Sequence, residues 1–248
     1  MIDDLPIIDG HVHSFGRATL DKLVDDIRYT GAKQFAVVVI ARNDRTDQWD
    51  NAIALKRRMP EEVFLFGGLD FTSPDRPRYE QQLQFLIDLG CDGLKMLTGK
   101  PDRRKALGHP LDSEIFTPML KLAEEKRFPI VWHVGDPPEF WSEQTVPLWA
   151  RQRGWWYDHT HPPKRQLDEE IARVFARHPN LNLILPHFFF LSDRLQDAAQ
   201  LLDRYPSYNL DLAPGVEMFH NFTANHAAAR EFLRPQCEFL RHHHAERV

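Results

Sequence analysis

The sequence predicts an α/β protein with the architecture of a (β/α)8 barrel, the TIM barrel, and three observations carry that prediction. Short apolar runs alternate with longer amphipathic stretches. The runs begin about every 25 to 30 residues, close to the length of one βα unit. They lack polar alternation, as expected for strands that a parallel sheet buries on both faces. A doubly wound open sheet is disfavoured because no Gly-x-Gly-x-x-Gly follows the first run.

Seven runs are predicted to be strands: 7–13, 35–40, 63–69, 93–97, 129–134, 181–188 and 208–212. Helices are predicted at 20–29, 49–59, 79–89, 113–126, 168–178, 194–205 and about 224–244, with Pro235 as a candidate break in the last. A long irregular insertion, rich in Pro, Trp and His, occupies 135 to about 164. No linker is evident, so residues 1–248 are predicted to form a single domain.

The eighth βα unit of such a barrel is missing from the pattern. Arg247 and Val248 resemble the first residues of an eighth strand, and the chain stops there. We therefore expect a chain truncated before that strand. A natural seven-stranded barrel is the alternative.

Composition narrows the class of protein. The net charge of −5 and the pI of about 6.2 argue against nucleic acid or an anionic membrane as a main partner. Two cysteines make no disulfide framework, which indicates a reducing compartment, and no signal peptide precedes the first strand. No apolar run approaches transmembrane length. These features predict a cytoplasmic protein.

Histidines recur where the predicted strands end, which is where parallel barrels carry their reactive residues. His11 and His13 are spaced i, i+2 and share one face of the first strand. His133 ends the fifth strand and His187 the sixth, while Lys95 lies within the fourth. Each histidine alone is better explained as a satisfied core residue, but four at one level of a barrel indicate a site.

With these residues placed, the sequence resembles the amidohydrolase superfamily, and most closely its amidohydrolase-2 branch. That branch includes decarboxylases related to aminocarboxymuconate-semialdehyde decarboxylase. The likeness rests on Ile8-Asp9-Gly10-His11-Val12-His13, Gly93-Leu94-Lys95, Val131-Trp132-His133-Val134 and Leu185-Pro186-His187. These motifs occur in the family's order over nearly the whole chain. The resemblance implies a TIM barrel of the metal-dependent hydrolase type that binds a divalent metal, usually zinc and sometimes manganese.

The resemblance assigns a role to each motif residue. His11, His13 and His133 match metal ligands, and His187 matches the histidine that orients or deprotonates water in mononuclear members. Lys95 matches a position that is carbamylated in some members. We favour for it a structural pairing with a carboxylate or a role at the substrate, and count it with His187 among the catalytic candidates.

One family residue has no counterpart in the sequence. The eighth strand of the family carries an aspartate that binds the metal and accepts a proton from water. Asp211 belongs to the predicted seventh strand, so we expect a supporting or structural carboxylate there instead. A non-catalytic barrel without the eighth-strand acid is therefore one alternative.

The insertion is expected to shape specificity, because long loops without regular structure are usually functional. Asp136, Trp141, Trp156 and His161 are its candidate substrate-binding residues, and they suit an aromatic or planar molecule. Trp-rich loops also mediate dimer contacts or fold on themselves. The histidines at 242–244 are better explained as a solvated helix end than as a metal cluster.

The activity implied is hydrolysis of an amide, ester or lactone bond in a small organic substrate by metal-activated water. The alternative hypothesis is a metal-dependent non-oxidative decarboxylase that uses the same site. The branch is also consistent with a homodimer, which no stretch of this sequence specifically supports.

Overall fold

Seven strands form the centre of the protein in a computed structural model. The structure describes residues 7–14, 20–29, 31–40, 47–73, 75–213, 226–242 and 247. The strands are β1 Ile7–Val12, β2 Ala32–Val38, β3 Val63–Gly68, β4 Gly93–Gly99, β5 Ile130–Val134, β6 Leu183–Leu185 and β7 Tyr208–Leu210.

The strands pair in parallel in the order in which they follow one another along the chain. The sheet curls as part of a TIM barrel, which confirms the predicted fold class. In the described part of the chain β1 and β7 lie at its two edges. Val248, where the expected eighth strand would continue, is outside the described residues.

Helices follow the strands as the pattern predicts, with several differences. They are α1 Leu20–Tyr29, α2 Asp47–Arg58, α3 Tyr79–Asp88, α4 Pro101–Leu107, α5 Thr117–Glu125, α6 Leu148–Gln152, α7 Lys164–Arg177, α8 Leu195–Arg204 and α9 His226–His242. Gly90 ends α3 with a positive φ of 85°, as predicted. α9 continues through Pro235, so the expected break is wrong. Residues 243 and 244 lie outside the described residues.

Two predicted boundaries shift for local reasons. β6 is three residues long rather than eight, because Pro186 leads into a left-handed turn at His187–Phe190. α7 begins at Lys164, four residues earlier than expected, directly after a proline in extended conformation. α4 was not predicted. It begins with Pro101, and Gly108, whose φ is 73°, caps its C-terminal end.

Apolar side chains from the sheet and the helices form a large core, and Ala36, Val38, Phe66 and Val131 form a separate small cluster on the strands. Trp132 is fully buried in the large core, and its indole Nε1 donates to Thr98 Oγ1 over 3.1 Å. The insertion has a small core of its own, made by Phe140, Val146, Ala150 and Tyr157. The insertion is therefore a folded unit rather than an irregular loop. It contains a 3₁₀ helix at Pro138–Trp141 and the short α-helix α6.

β1 carries an irregularity beside its histidines. Three steps along β1, from Asp9 to Val12, pair with only two steps along β2. β4 shows the same mismatch against β5 near its own C-terminal end. Extra residues of this kind bend a strand and re-aim its side chains, and they are common next to active sites.

Gly99 allows β4 to approach β5 closely beside His133. A Cβ on Gly99 would lie 2.4 Å from the His133 carbonyl oxygen and 2.7 Å from Val134 Cα. We expect Gly99→Ala to lower the free energy of unfolding by about 1–3 kcal/mol, because the two backbones must separate. Urea unfolding measures this. The control is Gly10→Ala, whose Cβ meets nothing within 4 Å; equal losses in the two variants would contradict the steric argument.

In the described part of the chain, no helix is both long and apolar enough to cross a membrane.

Candidate active site

Four imidazole rings meet at the C-terminal end of the sheet. The ring centroids of His11 and His13 are 5.0 Å apart, as their shared strand face predicts. His187 lies 5.6 Å from His11 and 5.1 Å from His133. The structure thus brings together histidines from β1, β5 and the turn after β6.

Three of these rings donate a hydrogen bond from one ring nitrogen to a backbone carbonyl. His13 Nδ1 donates to Val38 O over 2.7 Å, His187 Nδ1 to Ala213 O over 3.0 Å, and His133 Nε2 to Gly135 O over 2.8 Å. A carbonyl can only accept, so each donating nitrogen carries the ring proton. The other nitrogen of each neutral ring then carries no proton.

Burial keeps the rings neutral. It lowers the pKa of His13 and that of His187 from 6.5 to about 3 in each case. Burial also lowers the pKa of His11 and of His133, since a charged imidazolium loses its hydration in the interior. Neutral imidazole is the form that binds metal ions and accepts protons.

Lys95 extends from β4 into the same cluster and is almost fully buried. Its Nζ lies 3.3 Å from His11 Nε2. Burial lowers the pKa of the Lys95 amine from 10.5 to about 7, and the charge of Asp211 only partly opposes this. The expected pairing of Lys95 with a carboxylate is therefore replaced by a contact with an imidazole, with Asp211 acting at longer range.

Asp211 follows β7 directly and brings a carboxylate to the cluster. Its Oδ2 lies 2.8 Å from His11 Nδ1. Its Oδ1 accepts from the backbone N–H of His187 at 2.9 Å and of Ala213 at 3.0 Å. Burial raises the pKa of this carboxyl group, and the neighbouring His187 opposes that shift.

His187 opens a segment with an uncommon backbone. All four residues from His187 to Phe190 have φ between 52° and 59°, the left-handed region that non-glycine residues avoid. Such strain persists only where the surroundings enforce it, and it concentrates at functional sites. Phe190 turns its ring to His133 and His187, with centroids 5.9 and 5.6 Å away.

A buried ionic cluster lies next to His133 and is centred on Asp136. His133 Nε2 lies 3.3 Å from Asp136 Oδ1, and Lys100 Nζ lies 2.5 Å from Asp136 Oδ2. The Tyr157 hydroxyl donates to the same Oδ2. Burial alone would raise the pKa of Asp136, but the Lys100 ammonium holds it well below its usual range.

The other three insertion candidates make the following contacts within the insertion, and Trp141 packs against the main core as well. Trp141 donates from Nε1 to Pro162 O over 3.0 Å. Trp156 is half-exposed and lies under the guanidinium of Arg151. His161 pairs with Asp158 at 2.9 Å. Of the four insertion candidates, Asp136 alone has a described contact to the histidine cluster, and a substrate role for the four stays a prediction.

The donor chemistry of the cluster suits a divalent ion, since neutral imidazole nitrogens are preferred ligands of zinc. Three of the four rings direct their N–H towards a backbone carbonyl, which is how ligating histidines are usually oriented. Across the ranges that the structure describes, however, no three or more His, Cys, Asp or Glu side chains are arranged to hold a metal ion. The fit is therefore one of donor chemistry, without an assembled ligand shell.

Lys100, Phe190 and the contacts of Asp211 escaped sequence reasoning. Lys100 follows the end of β4, so the strand-end rule could have found it. Phe190 reaches the cluster only because of the left-handed backbone. The sequence at 187–190 contains no glycine or asparagine that would have predicted this conformation.

Comparison with known families gives the class of protein. The family model described as Amidohydrolase, that of the amidohydrolase-2 family, matches residues 8–248, and the chain therefore belongs to this family. A comparison with curated protein sequences gave no significant match.

Solved structures with the same fold include both hydrolases and decarboxylases. An uncharacterised TIM-barrel protein from Bordetella bronchiseptica is 14% identical with a TM-score of 0.58, over 87% of this chain and 80% of its own. A probable 2-pyrone-4,6-dicarboxylic acid hydrolase from Acinetobacter baumannii is 12% identical with a TM-score of 0.55, over 95% and 81%. The 2,6-dihydroxybenzoate decarboxylase from Rhizobium is 15% identical with a TM-score of 0.54, over 84% and 79%. At these identities the likeness is one of fold.

Proposed function

We propose that the protein is a metal-dependent hydrolase that cleaves an amide, ester or lactone bond in a small organic substrate. The observation that carries the proposal is the cluster of four neutral, buried imidazoles at the C-terminal end of the sheet. Membership of the amidohydrolase-2 family supports it. An aromatic or planar substrate suits the aromatic composition of the insertion, which contacts the cluster through Asp136.

His11, His13 and His133 would hold the divalent ion, zinc or manganese. When bound, such an ion supplies Lewis acidity towards a carbonyl and towards water. The chain's own residues complete the chemistry. His187 presents an unprotonated Nε2 that can accept a hydrogen bond and so orient a water molecule, and Lys95, with a pKa of about 7, can donate a hydrogen bond from Nζ to an oxygen that gains charge.

A metal-dependent decarboxylase on the same residues is the second candidate. The fold shared with 2,6-dihydroxybenzoate decarboxylase supports this reading. A panel of aromatic carboxylic acids and of their amides, esters and lactones separates the two. Release of carbon dioxide without hydrolysis identifies the decarboxylase, and acid released from the esters or lactones identifies the hydrolase. A metal-free chain that turns over neither set would favour a non-catalytic barrel.

We expect His11→Ala and His133→Ala each to lower the zinc or manganese content of the purified protein at least tenfold. Each variant removes a proposed ligand, and supporting partners of ligands alone are worth about 10–100-fold in affinity. Elemental analysis after dialysis against each metal measures the content. His109→Ala is the matched control, because His109 is an exposed histidine. Unchanged metal content in both site variants would contradict the ligand assignment.

Localisation in the cytoplasm and assembly as a homodimer stay predictions.

A further inference from the structure

We infer that Asp211 is a positioning residue that fixes the tautomer of His11 and the turn that carries His187. Sequence reasoning left this aspartate as a supporting carboxylate, because it belongs to β7 and matches no motif residue. In the structure it contacts both the first and the sixth βα units. The inference deepens the proposed function, on which its effect on catalysis rests.

Both carboxylate oxygens of Asp211 take part in hydrogen bonds with other groups of the protein. Oδ1 accepts two backbone N–H groups, from His187 and Ala213, and Oδ2 faces His11 Nδ1 at 2.8 Å. The two amide donors favour the ionised carboxylate, which can only accept. His11 Nδ1 must then carry the ring proton and donate it to Oδ2.

The tautomer of His11 decides what its other nitrogen does. With the proton on Nδ1, Nε2 is a lone pair, and Lys95 Nζ lies 3.3 Å from it. The order of donors is then Lys95 Nζ–H to His11 Nε2, and His11 Nδ1–H to Asp211 Oδ2. Only this tautomer leaves Nε2 able to accept a hydrogen bond or to bind a cation, as the proposed function requires.

The backbone of Asp211 holds the left-handed turn as well. Its carbonyl oxygen accepts from Phe188 N at 2.7 Å, and its N–H donates to Leu185 O at 3.1 Å. With the side-chain contact to the His187 N–H, three hydrogen bonds join Asp211 to residues 185–188. These contacts supply the surroundings that a strained turn needs.

A proton-accepting role would require a different environment. Both Asp211 oxygens already accept protein hydrogen bonds, and the side chain is mostly buried. Asp211 therefore acts through His11 and His187, rather than on a reacting atom.

The first test is the tautomer of His11 in the wild-type protein, measured by long-range ¹⁵N–¹H NMR on histidine-labelled full-length chain. The His11 signals are those lost in His11→Gln. We expect a protonated Nδ1 and an unprotonated Nε2. The reverse tautomer in the wild-type protein would overturn the inference, whatever the protein's activity proves to be.

The second test is Asp211→Asn. An asparagine can keep Oδ1 on the two backbone amides, and its Nδ2 then faces His11 Nδ1 as a donor. We expect His11 to switch to the Nε2–H tautomer while the circular dichroism spectrum stays unchanged. The affinity for zinc should fall about 10–100-fold, which is the usual effect of removing such a partner.

Asp197→Asn is the matched control, since Asp197 is half-exposed on α8 and pairs with Arg194. It should change neither the tautomer nor the zinc affinity. A His11 tautomer that is the same in Asp211→Asn and in the wild-type protein would overturn the inference. Loss of zinc binding in His11→Ala but not in Asp211→Asn would leave the proposed function standing and remove the positioning role alone.

Discussion

Replacing Glu170 by glutamine is expected to lower the free energy of unfolding by about 3–5 kcal/mol, because it leaves a buried arginine without its counter-ion. The Glu170 side chain is 2% exposed, and its carboxylate accepts from Arg104 Nε and Nη2 at 2.9 Å each. It also accepts from Leu111 N and from Gln166 Nε2. Glutamine keeps one acceptor and turns an N–H₂ group towards the guanidinium. Urea unfolding followed by fluorescence measures the loss.

The neighbouring Glu169 provides the control. Among the described residues, its ion pair is a long, exposed one with Arg165, at 3.6 Å. Exposed pairs contribute about 0–1 kcal/mol, so Glu169→Gln should leave stability nearly unchanged. If the two variants lose stability equally, burial of the Arg104–Glu170 pair is not what joins α7 to α4.

Asp136→Asn is expected to be the most damaging change next to the histidine cluster. It removes the counter-ion of Lys100, whose side chain is only 12% exposed, and it leaves one acceptor oxygen where the two oxygens of Asp136 serve Lys100, Tyr157 and His133. We expect a loss of about 3 kcal/mol in the free energy of unfolding. Zinc affinity should fall about 10-fold, the lower end of the usual effect of losing a supporting partner, because Gly135 O still accepts from His133 Nε2.

A double variant separates charge from geometry. Lys100→Met removes the ammonium that Asp136→Asn would leave unpaired, so stability should partly recover in the double variant. Zinc affinity should not recover, since Tyr157 and His133 still compete for the single acceptor oxygen of the asparagine. Recovery of both properties would show that Asp136 acts only by neutralising Lys100.

The barrel was predictable because its strands are local features. Each strand is a short apolar run of the right length, and the histidines at their ends could be placed by strand polarity alone. The period of two along a strand predicted that His11 and His13 lie close together, although β1 ends at Val12 and carries an extra residue between Asp9 and Val12. The predicted β6 ran too long because apolar phenylalanines continue past Pro186 into a turn.

The insertion and the role of Asp211 depend on contacts between distant residues. Tyr157 meets Asp136 only when the insertion packs on its own small core, and composition cannot show that core. The contact of Asp211 with His11 depends on the curl of the whole sheet. Neither residue has neighbours in the sequence that mark its partner.

The hydrogen bond between His11 and Asp211 also sets an order of events during synthesis. These residues are 200 positions apart and come from the first and seventh strands. Contacts of such long sequence separation close late, because the loop entropy must be overcome before the contact forms. Earlier βα units can pair with their neighbours while the ribosome is still adding the rest. The hydrogen bonds of the histidine cluster can therefore be completed only after β7 has been made.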